Sequence, residues 1–374
     1  MAEPRLFEVR LPAGDVQGWQ IDYESNTGAR KVWSDEWLSQ GYDGVRYIGA
    51  GRGVTRIRPG GSWDTLAVER HPGIVQLEAL SVHCARSTAI RFGISRREKP
   101  LIPSFRLIGR DVEIVADDPE DHRASGTWGL FSYMADIDME GCLWDCAHLL
   151  EHANYHHGFA KTGLRWKSNE VLASGAECLK MRPDPTETFA TPKARALVED
   201  SKFKNWYQPW SSRGGGGIVA QGIGIPLTVR RCEFWAPLQD ASHTRCLMID
   251  DNGGAFWSSV TGSLSSGYAT GAVLIEDSGF RAGIGTENYS LAIRVGPLGS
   301  WQKVARSFTI RRCGIYGDHT QIQLVGVQPG HVLIETSNTP AIRSIAASVG
   351  MDVSMETMIP TAQRLVPVSE GLSR

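Results

Sequence analysis

The sequence lacks the features of an exported or membrane-spanning chain. Its opening, MAEPRLFEVRLPAGD, is mixed and charged, without the apolar stretch that a secretory signal needs. No run of about 18 apolar residues occurs, so no transmembrane segment is expected. The seven cysteines include no CxxC spacing, which favours reduced thiols over disulfides. We therefore expect a chain that is made in a cytosol, is not exported by the usual route and has no membrane partner.

An excess of charge of one sign is also missing. The 374 residues carry 39 Lys and Arg against 41 Asp and Glu, a formal net charge of -2. Surfaces that bind nucleic acid are usually basic, so no nucleic-acid partner is expected. The glycine run at 214–217 lacks the lysine of a phosphate-binding loop, and no cofactor is predicted. The 41 glycines are typical of a turn-rich β protein.

Four segments of the chain resemble one another. They are ALVEDSKFK from Ala196, LTVRRCEFW from Leu227, VLIEDSGFR from Val273 and FTIRRCGIY from Phe308. Their third position predicts a column of apolar residues along the chain: Tyr47, Leu77, Leu107, Met139, Trp166, Val198, Val229, Ile275, Ile310 and Ile334. A second apolar column lies two residues earlier: Val45, Val75, Phe105, Ile137, Leu164, Ala196, Leu227, Val273, Phe308 and Val332.

The spacing of these columns indicates a solenoid. Apolar and variable residues alternate over three or four positions, which is the pattern of a short strand. The strand recurs every 24 to 35 residues, apart from one step of 46. A unit of that length has room for about three short strands and their turns. A second strand set is predicted between the first, at residues 65–69, 88–92, 128–132, 147–151, 177–181, 218–221, 245–249, 290–294 and 321–324.

Small polar residues stand three places after the first column. In seven consecutive repeats they are Cys142, Asn169, Ser201, Cys232, Ser278, Cys313 and Ser337. Such side chains can stack and cap the backbone at a tight inward turn. The pattern resembles the asparagine and serine ladders of the pectate-lyase-like superfamily over residues 45–340. The resemblance implies an all-β fold, a right-handed parallel β-helix of about ten coils at 41–340. We expect an N-terminal cap or attachment segment at 1–40 and a C-terminal arm or cap at 341–374.

The densest set of titratable side chains lies in CAHLLEHANYHHGFAKTG, residues 146–163. In the resembling family, lyases and hydrolases work with carboxylates and a base on the outward face of one sheet or in the loops beside it. If the chain is an enzyme, a lyase or glycoside hydrolase is expected. The candidate catalytic residues are then Glu151, His156, His157, Lys180 and Asp250. The alternative is a solvated, charged face with structural histidines. A zinc site at His148 and His152 would need a helix, and no metal is predicted.

Aromatic loops are the second functional signal. NWYQPWSSRGGGG begins at Asn205, and the 46-residue step contains an insertion with Trp257 and Tyr268 among small residues. Loops that leave a rigid solenoid often bind ligands, and aromatic rings stack on sugar faces. The alternative is that these loops pack on the coil or on a neighbouring subunit. The candidate substrate-binding residues are Tyr155, Arg182, Trp206, Tyr207, Trp210, Trp257, Tyr268 and Arg294.

These observations predict a protein that works on an elongated glycan. The chain resembles bacteriophage tailspikes and other virion-surface β-helices, which fold in a host cytosol and act on bacterial surface polysaccharide. The resemblance implies polysaccharide binding, with cleavage left open, a homotrimer, other virion proteins as partners and a location in the virion. One alternative is a bacterial polysaccharide lyase, hydrolase or epimerase. A second is a purely structural decoration of the virion.

Overall fold

The structure of the protein is a computed structural model. It describes residues 3–22, 30–60, 64–68, 73–84, 88–93, 105–116, 128–133, 135–145, 148–153, 163–173, 178–182, 195–204, 216–221, 226–235, 245–250, 272–281, 290–295, 308–316, 320–325, 332–336 and 341–345. Within these ranges the chain is almost entirely β-strand, with one short helix, α1 (Asp35–Leu38), before the fifth strand.

The strands are short and follow one another at regular intervals. The first ten are β1 (Leu6–Arg10), β2 (Gly14–Gln17), β3 (Trp19–Ile21), β4 (Arg30–Val32), β5 (Gly44–Ile48), β6 (Thr55–Arg58), β7 (Leu66–Val68), β8 (Ile74–Cys84), β9 (Thr88–Gly93) and β10 (Phe105–Ala116). The next ten are β11 (Trp128–Tyr133), β12 (Ala135–Glu140), β13 (Leu143–Asp145), β14 (His148–Ala153), β15 (Leu164–Lys167), β16 (Glu170–Ala173), β17 (Leu179–Arg182), β18 (Ala196–Glu199), β19 (Lys202–Lys204) and β20 (Gly216–Gln221). The last ten are β21 (Leu227–Arg230), β22 (Glu233–Trp235), β23 (Arg245–Asp250), β24 (Val273–Glu276), β25 (Gly279–Arg281), β26 (Ser290–Val295), β27 (Phe308–Tyr316), β28 (Thr320–Val325), β29 (Val332–Thr336) and β30 (Ala341–Ile345).

The strands form two long parallel sheets, of 18 and 12 strands in the described part of the chain. In one repeat, β12 and β13 belong to the first sheet and β14 to the second. They pair in parallel with β15, β16 and β17 of the next repeat. Each strand thus bonds to its own counterpart one repeat later, which is the arrangement of a parallel β-solenoid. The second strand set predicted from the sequence is confirmed, because all nine of its members are strands of the second sheet.

The strand register corrects both predicted apolar columns at β10, where Phe105 pairs with Ala135 and belongs to neither column. Leu107 pairs with Val75 and Ile137, so it belongs to the earlier of the two columns. The later column passes through Gly109, which pairs with Leu77 and Met139. Gly109 has no side chain and was therefore invisible to an apolar pattern. The terminal methyl of Met139 occupies the space that a Cβ at Gly109 would need.

The parallel ladder continues into both terminal segments. Strand β1 pairs with β5, β2 with β6 and β3 with β7, so residues from Leu6 onward form a further repeat ahead of the first predicted one. At the other end, β30 pairs with β28. The segments for which a cap and an arm are expected therefore contribute strands to the sheets. Whether the rest of each segment acts as a cap stays a prediction.

The core is a set of stacked columns between the sheets. Val229 is fully buried, and its partners Val198 and Ile275 are buried as well. A stack of five aromatic rings runs beside them, with centroid separations from 4.7 to 6.5 Å: Trp144, Trp166, Phe203, Phe234 and Phe280. Each repeat buries its apolar side chains against the repeats before and after it, so the core is continuous along the solenoid.

The predicted ladder of small polar residues is confirmed by its hydrogen bonds. The backbone N–H of Cys142 donates to Oδ1 of Asn169 at 2.8 Å, and the N–H of Asn169 donates to Oγ of Ser201 at 3.1 Å. The N–H of Cys232 donates to Oγ of Ser278 at 3.1 Å. Cys142, Asn169 and Cys232 therefore bind the ladder residue of the following repeat. Ser337, the last predicted member, lies outside the described residues.

A left-handed residue precedes each described member of this ladder. The φ angles lie between 51° and 68° at Gly141, Ser168, Asp200, Arg231, Asp277 and Arg312. This conformation turns the chain inward and is unfavourable for most side chains. The ladder side chain spans the turn, as where Oγ of Ser201 donates to the carbonyl of Glu199 at 2.7 Å. The small polar residue therefore stabilises the turn in these repeats, whereas the left-handed Ala79 and Asp111 of the earlier repeats are followed by the buried Leu80 and Val112.

A matched pair of substitutions tests the alternation of β21. Val229→Asp places an unpartnered carboxylate in the core, and we expect a loss of about 3 kcal/mol or more in the free energy of unfolding. Thr228→Asp changes a half-buried side chain on the outward side, and we expect a loss of about 0.5 kcal/mol. Urea unfolding followed by circular dichroism gives both values. Equal losses would show that the alternation is assigned wrongly.

The ladder cysteines give a second test. Burial raises the pKa of the Cys142 and Cys232 thiols to about 12 and that of Cys313 to about 11. Because the thiolate is the reactive form, all three should resist alkylation of the native protein at pH 8. Peptide mapping by mass spectrometry should find them labelled only after denaturation. Rapid labelling of the native protein at these three positions would contradict the ladder.

Candidate functional site

The structure positions five of the thirteen predicted site residues. Glu151, Lys180, Arg182, Asp250 and Arg294 all lie on strands of the second sheet, on β14, β17, β23 and β26. The other eight lie outside the described residues: Tyr155, His156, His157, Trp206, Tyr207, Trp210, Trp257 and Tyr268. The proposals for those eight stay predictions.

Glu151 and Lys180 are direct partners on neighbouring strands. Since paired parallel strands lie about 4.8 Å apart, the two Cα atoms are one strand spacing from each other. Lys180 is half-buried and is flanked on its strand by the buried Leu179 and Met181. Strand alternation therefore assigns Lys180 to the outward face. Two positions of the predicted catalytic set are thus adjacent in the second sheet.

Asp250 does not share this column. Its register partner is Gln221, whereas Val219, the partner of Lys180, pairs with Met248. Asp250 is thus two residues further along its strand than the position in line with Lys180. The register therefore separates Asp250 from the column that Glu151 and Lys180 share. Two neighbouring columns are present instead, because residues of one face repeat every second position.

The column that contains Glu151 and Lys180 runs through nine strands from β9 to β30. On its N-terminal side it continues through Ala67 on β7, Gln20 on β3 and Lys31 on β4, of which Ala67 and Gln20 are buried. The pairings run continuously through Arg91, Phe131, Glu151, Lys180, Val219, Met248, Arg294, Gln323 and Arg343. We call these nine positions the sheet-two column. Eight steps of about 4.8 Å give it a length of roughly 38 Å. Four of its positions are cationic residues, and Arg294, a predicted binding residue, is one of them.

At the start of this column, a guanidinium lies beside two aromatic rings. The Arg91 guanidinium forms an ion pair with the buried Asp64, with 2.6 Å between Nε and Oδ2. It also lies 5.7 Å from the ring centre of Phe131. The ring of Trp128 meets Phe131 edge to face at 5.1 Å. Half-buried aromatic rings beside a fixed guanidinium are groups that can contact the apolar faces and hydroxyls of sugars.

The strand structure also bears on the predicted histidines. His148 and His152 lie on β14, four residues apart in extended backbone. The rise of a strand separates their Cα atoms by about 13 Å, so the two cannot share a zinc ion as they would on a helix. No group of three or more His, Cys, Asp or Glu side chains that could hold a metal ion occurs in the part of the chain that the structure describes.

The first sheet carries charges that alternate in sign from repeat to repeat. One register column consists of Glu78, Arg110, Glu140, Lys167, Glu199, Arg230, Glu276, Arg311 and Glu335. Glu199 is bonded to Arg230, and Glu276 accepts from Arg311 at 2.5 Å. The residues at the turn next to this column also form ion pairs between repeats. Arg231, for example, donates to both carboxylate oxygens of Asp200. Where their side chains are described, these residues are bonded to opposite charges in the column or beside it, so we assign them to register and stability.

Asp138 is the most heavily paired carboxylate of this sheet. Three guanidiniums contact its oxygens, from Arg106 at 2.6 Å, Arg165 at 2.8 Å and Arg110 at 3.0 Å. Burial acts to raise the pKa of Asp138, but these hydrogen bonds and charges outweigh it and hold its pKa below the ordinary value. A carboxylate that is nearly inaccessible and bound by three arginines stabilises the fold and is poorly suited to contact a substrate.

Sequence analysis missed an aromatic surface on the first sheet. Trp235, at the end of β22, is 53% exposed and borders a depression of about 410 Å³. The signal was present in the segment CEFW at 232–235. Phe234 is an inward residue of the aromatic stack, so alternation assigns Trp235 to the outward face.

Comparison of the chain with protein-family models, with curated protein sequences and with solved structures gave no match. Within the described ranges, no helix has the length and apolar character needed to cross a membrane.

Two carboxylates of β12 give a test with opposite signs. The low pKa of Asp138 stabilises the fold above the unfolded-state pKa of about 3.9, and this contribution disappears as pH falls through the folded-state pKa. Burial raises the pKa of Asp136, so its charge opposes folding at pH 7. Asp138→Asn should lower the free energy of unfolding at pH 7 by about 1–3 kcal/mol, whereas Asp136→Asn should raise it slightly.

Urea titrations at pH 7 and pH 3 measure both effects. The deficit of Asp138→Asn should shrink at pH 3, because the wild-type contribution is then being lost as well. Changes of the same sign for the two variants at pH 7 would contradict the assignment of Asp138 as the structural charge.

Proposed function

We propose that this protein binds an elongated bacterial surface polysaccharide along the sheet-two column, as a tailspike-like β-helix of a bacteriophage virion. The observation that carries the proposal is the continuity of that column over nine paired strands. A polymer lying along it would meet the same face of the sheet at every step. Its cationic positions and the rings of Trp128 and Phe131 are suited to sugar hydroxyls, acidic groups and apolar sugar faces.

The shape of the surface also favours a polymer over a small molecule. Small-molecule sites are concave and bury most of their ligand. The column is an extended surface of roughly 38 Å, which is longer than a single sugar ring needs. Such a surface gains affinity from many weak contacts along a chain. The loops with Trp206, Tyr207, Trp210, Trp257 and Tyr268 are proposed as further contacts beside it.

We further propose the handedness of the coil, its two end segments and its assembly. A right-handed coil of about ten turns, with a cap at 1–40 and an arm at 341–374, would present the column on one side of a rod. Pairing of three rods into a homotrimer, with other virion proteins at one end, would give a tailspike-like assembly. A purely structural virion decoration is the alternative without a ligand.

Cleavage of the glycan is a second candidate function. Glu151 and Lys180 are direct register partners, and a carboxylate and an amine on neighbouring strands can act as an acid and a base on the same substrate. With such a pair the protein would be a polysaccharide lyase, hydrolase or epimerase. It could belong to a bacterium instead of a virion. His156, His157 and Asp250 remain candidates for the same chemistry, and Tyr155 and Arg182 for binding beside it.

Retention on immobilised capsular and cell-wall polysaccharides tests the binding proposal. A polysaccharide that retains the wild type should bind the double variant Lys180→Ala, Arg294→Ala at least about tenfold more weakly, a loss of about 1.4 kcal/mol. Arg52→Ala is the matched control, because Arg52 is a 40% exposed cation that pairs with Asp111 and lies outside the column. Equal losses for the control and the double variant would contradict binding along the column.

Product analysis separates binding from cleavage. A lyase leaves a new C=C bond that absorbs in the ultraviolet, whereas a hydrolase releases reducing ends without it. If Glu151 and Lys180 do chemistry, Glu151→Gln and Lys180→Ala should lower kcat far more than they weaken affinity. A wild type that binds the glycan and forms neither product is a binding module, and the enzyme alternative is then wrong.

A further inference from the structure

The depression beside Trp235 lies on the first sheet, away from the sheet-two column. Its rim is formed by the outward positions of β19, β22 and β25. Lys204, Trp235 and Arg281 are register partners on these three strands. The guanidinium of Arg281 lies 5.1 Å from the ring centre of Trp235, yet more than half of the tryptophan remains exposed. A large ring is thus held on a strand, with a cation on either side of it.

Missing side chains explain why the surface is hollow here. The neighbouring register column runs through Glu170, Lys202, Glu233, Gly279 and Gly314. The first three positions carry long side chains, and the last two carry none. The space next to Glu233 and Trp235 is therefore open, and its volume of about 410 Å³ lies in the range of ligand sites.

The charge at this depression is mainly positive. Four cations line it, Lys202, Lys204, Arg231 and Arg281, against the two anions Glu233 and Asp277. The surplus contrasts with the net charge of -2 of the whole chain.

Several of these charges are already engaged. Arg231 is bonded to Asp200, and Lys204 binds Glu170 at 2.5 Å. Asp277 is held by Arg312. Lys202, Glu233 and Arg281 are exposed and lie around the tryptophan. A ligand would therefore meet two cations and one carboxylate beside an aromatic ring.

We propose that this surface is a second glycan-binding site, which takes a sugar ring bearing an anionic group. The exposed part of Trp235 stacks on the apolar face of the ring. Lys202 and Arg281 bind the carboxylate or sulfate, and Glu233 accepts hydrogen bonds from ring hydroxyls. A neutral sugar would leave both cations without an anionic partner, so the site discriminates by charge. The site does not depend on the function proposed for the sheet-two column.

Calorimetric titration with three hexasaccharide probes tests the proposal. Hyaluronan hexasaccharide carries carboxylates, a chondroitin sulfate hexasaccharide carries sulfates as well, and maltohexaose is neutral. At least one anionic probe should bind the wild type at millimolar concentration or below, and at least tenfold more tightly than maltohexaose. The stronger of the two anionic probes identifies the preferred group. Affinity should fall as salt is raised, because exposed charges are screened.

Matched variants identify the site. Trp235→Ala should abolish binding of the anionic probe, and Lys202→Gln with Arg281→Gln should remove its preference over maltohexaose. Trp33→Ala is the control, since Trp33 is 45% exposed but lies just after β4, near the other end of the sequence. Lys180→Ala should also leave this binding unchanged, which separates the site from the sheet-two column. Because Trp235 is exposed, its removal should leave the thermal midpoint unchanged.

Three outcomes would overturn the inference. They are no binding of either anionic probe, equal affinity for maltohexaose, or unchanged binding by Trp235→Ala. Loss of probe binding in Lys180→Ala with retention in Trp235→Ala would assign the acidic sugar to the sheet-two column instead.

Discussion

Hydrogen bonds between the same turn of successive repeats hold the structure in one register. At this turn the chain enters a left-handed conformation. From Gly141 to Arg312 the next residue is cysteine, asparagine or serine, and at Asn169, Ser201 and Ser278 its side chain accepts a hydrogen bond from the preceding repeat. In the two earlier repeats the turn at Ala79 and Asp111 is followed by the buried Leu80 and Val112. Because the turn fixes the start of each inward column, it also fixes which residues are buried and which lie on the two outward faces. The ligand surfaces proposed above are consequences of that register.

Alternating charge reinforces the same register from outside. A shift by one repeat would place Glu199 beside another carboxylate and Arg230 beside another cation, since the column alternates at every step. Like charges on directly opposed positions of neighbouring strands are destabilising. Self-similar repeats can pair in several ways, and such a column favours one of them. In the sequence these alternating charges resemble a functional site, but in the structure they stabilise the pairing of the repeats.

Much of the fold could be predicted because apolar and small polar residues recur at the same positions in each repeat. The exceptions have physical causes. Gly109 carries no side chain, so an apolar pattern does not detect it and points to Leu107 instead. The candidate sites were harder to predict, because a high density of titratable residues in the sequence does not show which of them pair on neighbouring strands. Glu151 and Lys180 meet as partners, whereas Asp250 falls one column away. Trp235 was read as part of the repeat, although its position after the inward Phe234 indicates exposure.

The two sheets differ in how their outward faces are used. On the first sheet most described charges bind each other, and the hollow beside Trp235 interrupts this pattern. On the second sheet the sheet-two column contains four cationic positions, and the glycan site is proposed there. The central claim is that an extended glycan lies along that column. Affinity measured against size-graded fragments of the bound polysaccharide tests it most directly. Kd should fall with fragment length until the fragment spans roughly 38 Å and then level off, whereas equal affinity for the shortest and longest fragments would contradict the account.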